Sequence, residues 1–399
     1  MKVVVIDEWL PWPLDSGKKI RTFNLISRLA KQHEVLFMGY ARLPEENRKV
    51  SALEIHGIKV IPVKDSRTKR YSIRFYLEVF ANIFSSKPFS TWYHIKKSFV
   101  YRLLKIMRDE RPDLVHCEWT NLAPFLGYVD NIPRVISAHN IESVIWRRLA
   151  KTTSNPLLKL VATQQAKRIE QLERKWYPAV DHCIAVSEED FQVIKKYGAK
   201  VTVVENGVDI EYYNQIEQIE CENTLVFTAS FDTFSNQDAV DYFLQEIFPI
   251  VRRRNTKISL WLVGKDPPDR IRKYAEEQAN IHVTGTVPDV RPLVSKATLC
   301  VVPLRVGGGS RLKILEAMAM KKAIISTSVG AEGLRVTDGK DILIADKPED
   351  FANKVLLLIR DKATRRSIAH AAWKLVNSYY DWEIIARKQS QVWKSLALV

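Results

Sequence analysis

Short continuous apolar runs recur along this chain, each too short for a helix and each closed by a polar or glycine-bearing loop. In the first half they cover Lys2–Ile6, Glu34–Tyr40, Lys59–Val63, Leu114–Cys117, Arg134–Ala138, His182–Val186 and Val201–Val204. A helical pattern opens at Asp15-Ser16-Gly17 and runs through Lys31, with Ile20, Phe23, Leu25 and Leu29 as its apolar positions. Continuous apolar strands alternating with helices predict a parallel, doubly wound α/β sheet. Asn206-Gly207 is a turn signal, and the polar stretch Glu211 to Asn223 reads as a linker. The alternation then restarts: strand Thr224–Ala229, helix Gln237–Arg253, strand Lys257–Val263, helix Pro268–Gln278 and strand Ile281–Thr284. Strand Ile342–Ile344 and helices Pro348 to Asp361 and Thr364 to Tyr379 follow, with a last amphipathic segment from Trp382 to about Leu396. These patterns predict domains at 1–205 and 206–380 and a terminal helix at 381–399.

One stretch departs from the alternation. Lys64 to Arg111 is helical, basic and rich in aromatics, with Tyr71, Phe75, Tyr76, Phe80, Phe84 and Trp92 among them. Residues 59–111 hold thirteen Lys and Arg against four Asp and Glu. Large aromatics usually pack inward, so most of these are expected in the core. Those left outside, beside cations, would suit an anionic membrane surface.

The stretch Thr298 to Leu334 carries the densest chemistry. An apolar strand, Leu299 to Leu304, leads into Gly307-Gly308-Gly309, and Ser310 is a suitable N-cap for a helix from Arg311 to about Met320. Bare glycine backbone and the free N–H groups of a first helical turn form an anion site. Gly308, Gly309, Ser310 and Leu312 would line it, and Arg305, Arg311 and Lys313 flank it. Leu312, Leu315 and Ala319 make the inward stripe, which puts Glu316 at its edge, partly buried and in need of a partner. That partner is either Lys313, three residues earlier on the same helix, or the two hydroxyls of a ribose.

Composition narrows the class. At 399 residues, with 46% apolar and 10% aromatic positions, the chain can fill two cores. Cys117, Cys183, Cys221 and Cys300 are scattered without metal spacing, which suits free thiols in a reducing cytoplasm. The chain opens directly on a strand, so no signal peptide is expected, and no apolar run approaches the length of a membrane span. Residues 1–205 carry 34 Lys and Arg against 22 Asp and Glu, and the remainder 27 against 24. A basic first half suits an anionic membrane or an acidic substrate. With no nucleic-acid-binding signature, nucleic acid is not an expected partner.

The run Glu316-Ala317-Met318-Ala319 resembles the nucleotide-sugar site of retaining GT-B glycosyltransferases of the GT4 type, in which two glutamates stand eight positions apart. Gly308 occupies the place of the first, so the match keeps the ribose carboxylate and departs at the donor-sugar contact. Glu205-Asn206-Gly207-Val208-Asp209 resembles the family's PNGVD hinge. Thr284-Gly285-Thr286-Val287-Pro288-Asp289 resembles its GFVPD loop, which implies that Thr286 and Val287 edge the nucleobase. Where the family places an Arg and a Lys after the first strand of the second domain, this chain reads Ala229-Ser230-Phe231-Asp232, leaving Ser230 as a hydrogen-bonding group and shifting the cationic role to Arg305, Arg311 and Lys313. Gly17 resembles the glycine of the family's phosphate loop. His139, following a strand, stands where the family has a histidine close to the transferred sugar; His116 is a secondary candidate, and Trp119 and Glu142 could face the acceptor.

The resemblance implies a GT-B fold: two Rossmann-like domains with a cleft between them and a last helix crossing back to the first. The implied activity is retaining transfer of a hexosyl unit from a nucleoside-diphosphate sugar to a glycan or lipid-linked acceptor. His139, Arg311 and Lys313 are the expected catalytic groups. No DxD pair, Walker A loop, GxGxxG, GxSxG or HExxH occurs, so neither a metal nor a cofactor is expected. Two alternatives stand beside this reading: a nucleotide-sugar epimerase of the same fold, which the missing glutamate opposes, and a catalytically silent module that binds a glycan, lipid or protein.

Overall fold

The structure, a computed structural model, describes residues 1–42, 46–69, 71–153, 155–217, 219–306 and 311–397. The chain divides into two compact units, Met1–Glu205 with Ile385–Val399, and Asn206–Ile384.

The first unit is built on seven parallel strands: β1 Lys2–Ile6, β2 Glu34–Ala41, β3 Ile58–Lys64, β4 Leu114–Cys117, β5 Arg134–Ala138, β6 His182–Ala185 and β7 Val201–Val203. Their order is β3-β2-β1-β4-β5-β6-β7. Val3, Val4, Val5 and Ile6 are all fully buried, as expected of a strand covered on both faces. One face packs on a core that includes Phe99 and Phe125, whose rings stack at 4.3 Å. The strand order reverses between β1 and β4, both of which pair in parallel with their neighbours. In open sheets of this kind, ligands gather beyond the carboxyl ends of the strands at that reversal.

The second unit repeats the plan with β8 Thr224–Thr228, β9 Ser259–Val263, β10 Ile281–Val283, β11 Leu299–Val302, β12 Ala323–Ser326 and β13 Leu343–Ile344, in the order β10-β9-β8-β11-β12-β13. Its reversal falls between β8 and β11, the strands that precede the Ser230 segment and the three glycines in the sequence. Two doubly wound Rossmann-like units are therefore present.

Four details differ from the sequence expectation. The segment expected as one helix, Gln237 to Arg253, is three pieces: helix Phe234–Tyr242, a wide π turn Phe243–Ile247 and helix Phe248–Arg254. Pro249 lacks an N–H and cannot continue the i→i−4 ladder, so the backbone widens ahead of it. The expected linker holds a helical turn, Ile210–Asn214, whose start is capped by the Asp209 carboxylate accepting from the Tyr212 N–H. The helix of the densest stretch is described as Leu312–Ala319, with Arg311 just ahead of it; Gly308, Gly309 and Ser310 lie outside the described residues.

The fourth difference concerns the basic aromatic stretch. It forms helices Ile73–Asn82, Phe89–His94 and Lys97–Glu110. Tyr93 and Phe99 are buried, but Tyr71, Tyr76, Phe80, Phe84 and Tyr101 are each more than half exposed. Most of the aromatics named there thus do not pack inward. From the Ile73–Asn82 helix, the Phe75 ring meets Phe89 and Tyr93 edge-on. Among the described residues no helix is long and apolar enough to cross a membrane. Cys117, Cys183 and Cys300 are buried free thiols, and Cys221 is free and exposed.

Candidate active site

In the second unit, the Leu312–Ala319 helix follows β11 and presents Lys313 and Glu316 on one edge while Leu312, Ile314, Leu315 and Met318 fill the core. Burial pushes the Glu316 carboxyl up; a hydrogen bond from the Tyr213 hydroxyl and the charge of Lys313 oppose it. Tyr213 sits on the short Ile210–Asn214 helix, and burial beside Glu316 raises its own pKa. Lys313 donates to the Asn236 side-chain oxygen at 2.9 Å and lies 4.5 Å from the centre of the Phe227 ring. Burial lowers the Lys313 pKa to about 7, against the attraction of Glu316. A half-buried carboxylate, amine and phenol thus share one small cleft, lined also by Thr228, Val290 and Val294. From sequence the partner of Glu316 is either Lys313 or a ribose; in the structure its hydrogen bond comes from Tyr213, in the stretch expected as a linker, with the charge of Lys313 beside it.

The expected cations fare differently. Arg311 is buried, and its guanidinium donates to the Glu332 backbone oxygen at 3.2 Å and carboxylate at 3.1 Å. Arg305 pairs with Asp238 at 2.8 Å and Glu246 at 3.3 Å and stacks over Tyr242. The structure therefore shows Arg305 paired with carboxylates on the surface. Ser230 is half-buried; its hydroxyl donates to Asp232 at 2.6 Å, and its carbonyl accepts from Asn236 at 2.7 Å, which ties it to the side chain that holds Lys313. Thr286 is exposed and Val287 half-buried, in the turn after β10 where Gly285 takes a φ of +69° open to glycine. That turn is anchored by Arg291, which binds Asp289 at 2.8 Å, donates to the Tyr212 carbonyl at 2.6 Å and lies 3.5 Å over the Tyr212 ring.

The first unit gathers a second polar cluster beyond β1, β4 and β5. Gly17 begins the Gly17–Leu29 helix, and the next residue, Lys18, binds Asp7 at 2.6 Å and Glu8 at 3.0 Å. Burial raises the Asp7 pKa to about 7 although Lys18 opposes it. Burial would raise Glu8 too, but Lys18 and His94 hold it below the usual carboxylate range. His139 donates from Nε2 to the buried Glu118 at 2.9 Å. Glu118 is an acceptor only, so the His139 proton sits on Nε2 and Nδ1 remains the acceptor. The Trp393 indole N–H donates to His116 Nδ1 at 2.9 Å, which places the His116 proton on Nε2, facing Ser137 at 2.8 Å and Glu118 at 3.5 Å. Burial drops the His116 pKa to about 4, so it is a neutral core group. Trp119 donates to Glu142 at 3.1 Å, and burial raises the Glu142 carboxyl.

The sequence reading missed Lys18, Glu8 and Glu118 as well as Tyr213. Lys18 and Glu118 each stand beside a residue it had singled out, Gly17 and His116–Cys117, at strand or helix ends. Among the described residues no group of three or more His, Cys, Asp or Glu is set to hold a metal ion.

Comparison with known proteins decides the family. Residues 16–212 match Glycosyltransferase Family 4, almost all of them in the first unit, and residues 222–361 match Glycosyl transferases group 1, all in the second; together they cover most of the chain. The chain is a GT4-type glycosyltransferase. This glycosyltransferase is 19% identical over 290 residues to an uncharacterized 44.6 kDa protein in the cps region of Klebsiella pneumoniae, covering 70% of this chain and 74% of that protein. Among solved structures, it superposes on sucrose-phosphate synthase from Thermosynechococcus elongatus with a TM-score of 0.74 at 16% identity, covering 99% of both chains. It also superposes on HepE from Anabaena, solved in complex with UDP and glucose, with a TM-score of 0.66 at 15% identity over 99% of this chain and 100% of that one. The fold of the glycosyltransferase is accordingly GT-B.

Proposed function

We propose that the protein moves a hexosyl unit from a nucleoside-diphosphate sugar to a glycan or lipid-linked acceptor, with retention of configuration, in the synthesis of a cell-envelope polysaccharide or glycolipid. The observation that carries this reading is the half-buried trio Glu316, Tyr213 and Lys313, two of them on the helix that follows β11 and one on the Ile210–Asn214 helix. A carboxylate desolvated beside a phenol is a strong acceptor for a pair of ribose hydroxyls. A half-buried lysine beside it, its pKa lowered to about 7, gains its full charge when an anion arrives. The UDP and glucose bound by HepE support a donor of this class, and the cps-region relative supports a role in polysaccharide assembly.

In this reading Glu316 takes the ribose and Lys313 the diphosphate. Positive charge preorganised at the leaving group is stronger against the developing pyrophosphate charge than against the intact donor, which lowers the barrier. Arg311, held by Glu332, supports the helix start and the positive field around it. On the first unit, His139 offers Nδ1 to a hydroxyl of the transferred sugar or the acceptor, with Glu118 fixing its tautomer. The departing phosphate then takes the acceptor proton on the same face, without a metal. The basic, aromatic-rich stretch Lys64 to Arg111, with the exposed apolar face of its Ile73–Asn82 helix, rests on an anionic membrane, at the cytoplasmic face, where a lipid-linked acceptor is found.

Calorimetry with UDP on wild type and Glu316→Ala tests the core of this assignment. A loss of about 1.5–3 kcal/mol in binding is expected from the missing charge-assisted hydrogen bonds. Unchanged affinity in a folded variant would remove Glu316 from the nucleotide site. A mass-spectrometric screen of nucleotide sugars for donor hydrolysis then names the sugar, and the anomer of the first transfer product reports retention or inversion.

A further inference from the structure

A surface cleft of about 450 Å³ lies beside the turn that follows the Ile73–Asn82 helix. Half of its wall is apolar: Pro88, Trp92, Ile95, Pro124, Leu172 and Trp176. The other half carries three cations, Lys87, Arg168 and Lys175. Arg168 is buried, yet its guanidinium meets only neutral acceptors: the Asn82 backbone oxygen at 2.9 Å, the Asn82 side-chain oxygen at 3.3 Å and the Ile83 backbone oxygen at 2.7 Å. Among the described residues no carboxylate pairs with any of the three. Burial alone moves the Arg168 pKa, downward, with no anion opposing it. Three uncompensated positive charges around one cleft attract an anion.

The same network builds the wall. Asn82 also donates to the Lys87 carbonyl at 3.1 Å and accepts from Gln165 at 3.2 Å, and Gln165 accepts from the Phe89 N–H at 2.9 Å. Residues 82–89 are thereby clamped to the Pro156–Trp176 helix, which holds Lys87 and Trp92 in place beside Arg168. Just outside the cleft, Ile83 and Phe84 are 41% and 80% exposed. The exposed face of the neighbouring helix therefore leads to the cleft mouth.

We propose that this cleft binds the phosphate-bearing head of a membrane lipid, with the first part of its chain lying against Trp92 and Trp176. A free phosphate would satisfy the cations and leave two tryptophans facing water. An uncharged chain or a neutral sugar would cover the tryptophans and leave the cations unpaired. Only a ligand anionic at one end and apolar at the other matches both halves. The proposal rests on the membrane-surface reading above for how the lipid arrives, and names the place where one lipid molecule is held.

Tryptophan fluorescence titration of the full chain with dihexanoyl phosphatidic acid, kept below its micellar concentration, tests it. Dihexanoyl phosphatidylcholine and inorganic phosphate are the comparison ligands. Phosphatidic acid is expected to bind at least about tenfold tighter than either, and the double variant Lys87→Gln/Lys175→Gln to lose about tenfold or more of that affinity with an unchanged melting temperature. Both lysines are exposed, and among the described residues neither side chain makes a hydrogen bond or ion pair; Lys175 only lies 5.8 Å from the centre of the Trp176 ring, so the variant keeps the fold and both tryptophans. Equal affinity for inorganic phosphate would make this a free-anion site, and equal affinity for phosphatidylcholine would remove the role of the cations; either overturns the proposal, as does an unaffected double variant. Sedimentation with anionic vesicles separates the two readings. Vesicle binding without binding of monomeric phosphatidic acid sinks the cleft alone. Binding of the monomer without vesicle binding sinks the membrane-surface reading alone.

Discussion

At the scale of single residues, the proposed nucleotide site is governed by desolvation more than by ion pairing. Lys313 and Glu316 are one turn apart on one helix, and in water such a pair would add a few tenths of a kcal/mol. Burial changes the balance: it raises the carboxyl and lowers the amine to about 7, so each group is pushed toward its neutral form. A diphosphate arriving at Lys313 restores the charge of the amine. The sign follows directly. Above about pH 7 the free protein holds Lys313 mostly neutral, an anion raises its pKa, and binding takes up a proton. UDP affinity should therefore rise as pH falls from about 9 toward 7. Calorimetry at pH 8 in two buffers of different ionisation heat should show net proton uptake. Lys313→Met should abolish the uptake and flatten the pH dependence, while nucleoside binding hardly changes. Proton uptake that persists in the variant would place the titrating group elsewhere.

At the scale of elements, the Ile73–Asn82 helix stands apart. Ile73, Tyr76, Leu77 and Phe80 follow the 3.6-residue spacing of one face, and all four are more than half exposed. An apolar stripe of this kind on a helix normally faces a core. Here it faces solvent, with Arg74 82% exposed between its members. The double variant Leu77→Asp/Phe80→Asp should reduce co-sedimentation with anionic vesicles by about tenfold, and salt should weaken the wild-type interaction over a Debye length of about 8–10 Å. Because these side chains bury little, thermal stability should change by no more than about 0.5 kcal/mol. Unchanged sedimentation of the variant would assign the stripe to another role. The short Ile210–Asn214 helix teaches the opposite lesson: one capped turn in a polar stretch supplies Tyr212 to the Arg291 turn and Tyr213 to Glu316.

At the scale of the whole molecule, the course of the chain matters most for the first unit. The helix Trp382–Ala397 begins in the second unit, and from Ile385 onward it belongs to the first. There Trp393 is fully buried, packs edge-on against His33 and His116, and donates to His116 Nδ1. Ser390 meets His33 at 2.8 Å and Lys388 meets Glu205 at 2.8 Å. The polar line Trp393–His116–Glu118–His139 thus joins the last helix of the chain to a candidate catalytic residue. Trp393→Ala should destabilise the protein by about 3–5 kcal/mol, the cost of emptying a large buried aromatic site, as read from denaturant unfolding. A loss below about 1 kcal/mol would show that the last helix is not part of the core of the first unit.

Local pattern alone determined the strands named from the sequence nearly to the residue, the doubly wound plan of each unit and the position of Glu316 at the edge of a helix. Each of these follows from interactions between residues close in sequence, where apolar runs and helical periodicity are visible directly. The partners of the functional groups were a different matter. Lys313 and Asn236 are 77 positions apart, His139 and Glu118 are 21 apart, and Trp393 and His116 are 277 apart; no periodicity links them. The same distance in sequence hid the fate of Arg305, drawn to Asp238 and Glu246 from another segment, and the exposure of Phe80 and Phe84, which depends on whether any other part of the chain covers them. Residue type and spacing decide what a side chain can do. Which group stands across from it, and whether water reaches it, depends on segments that meet only when the chain has folded.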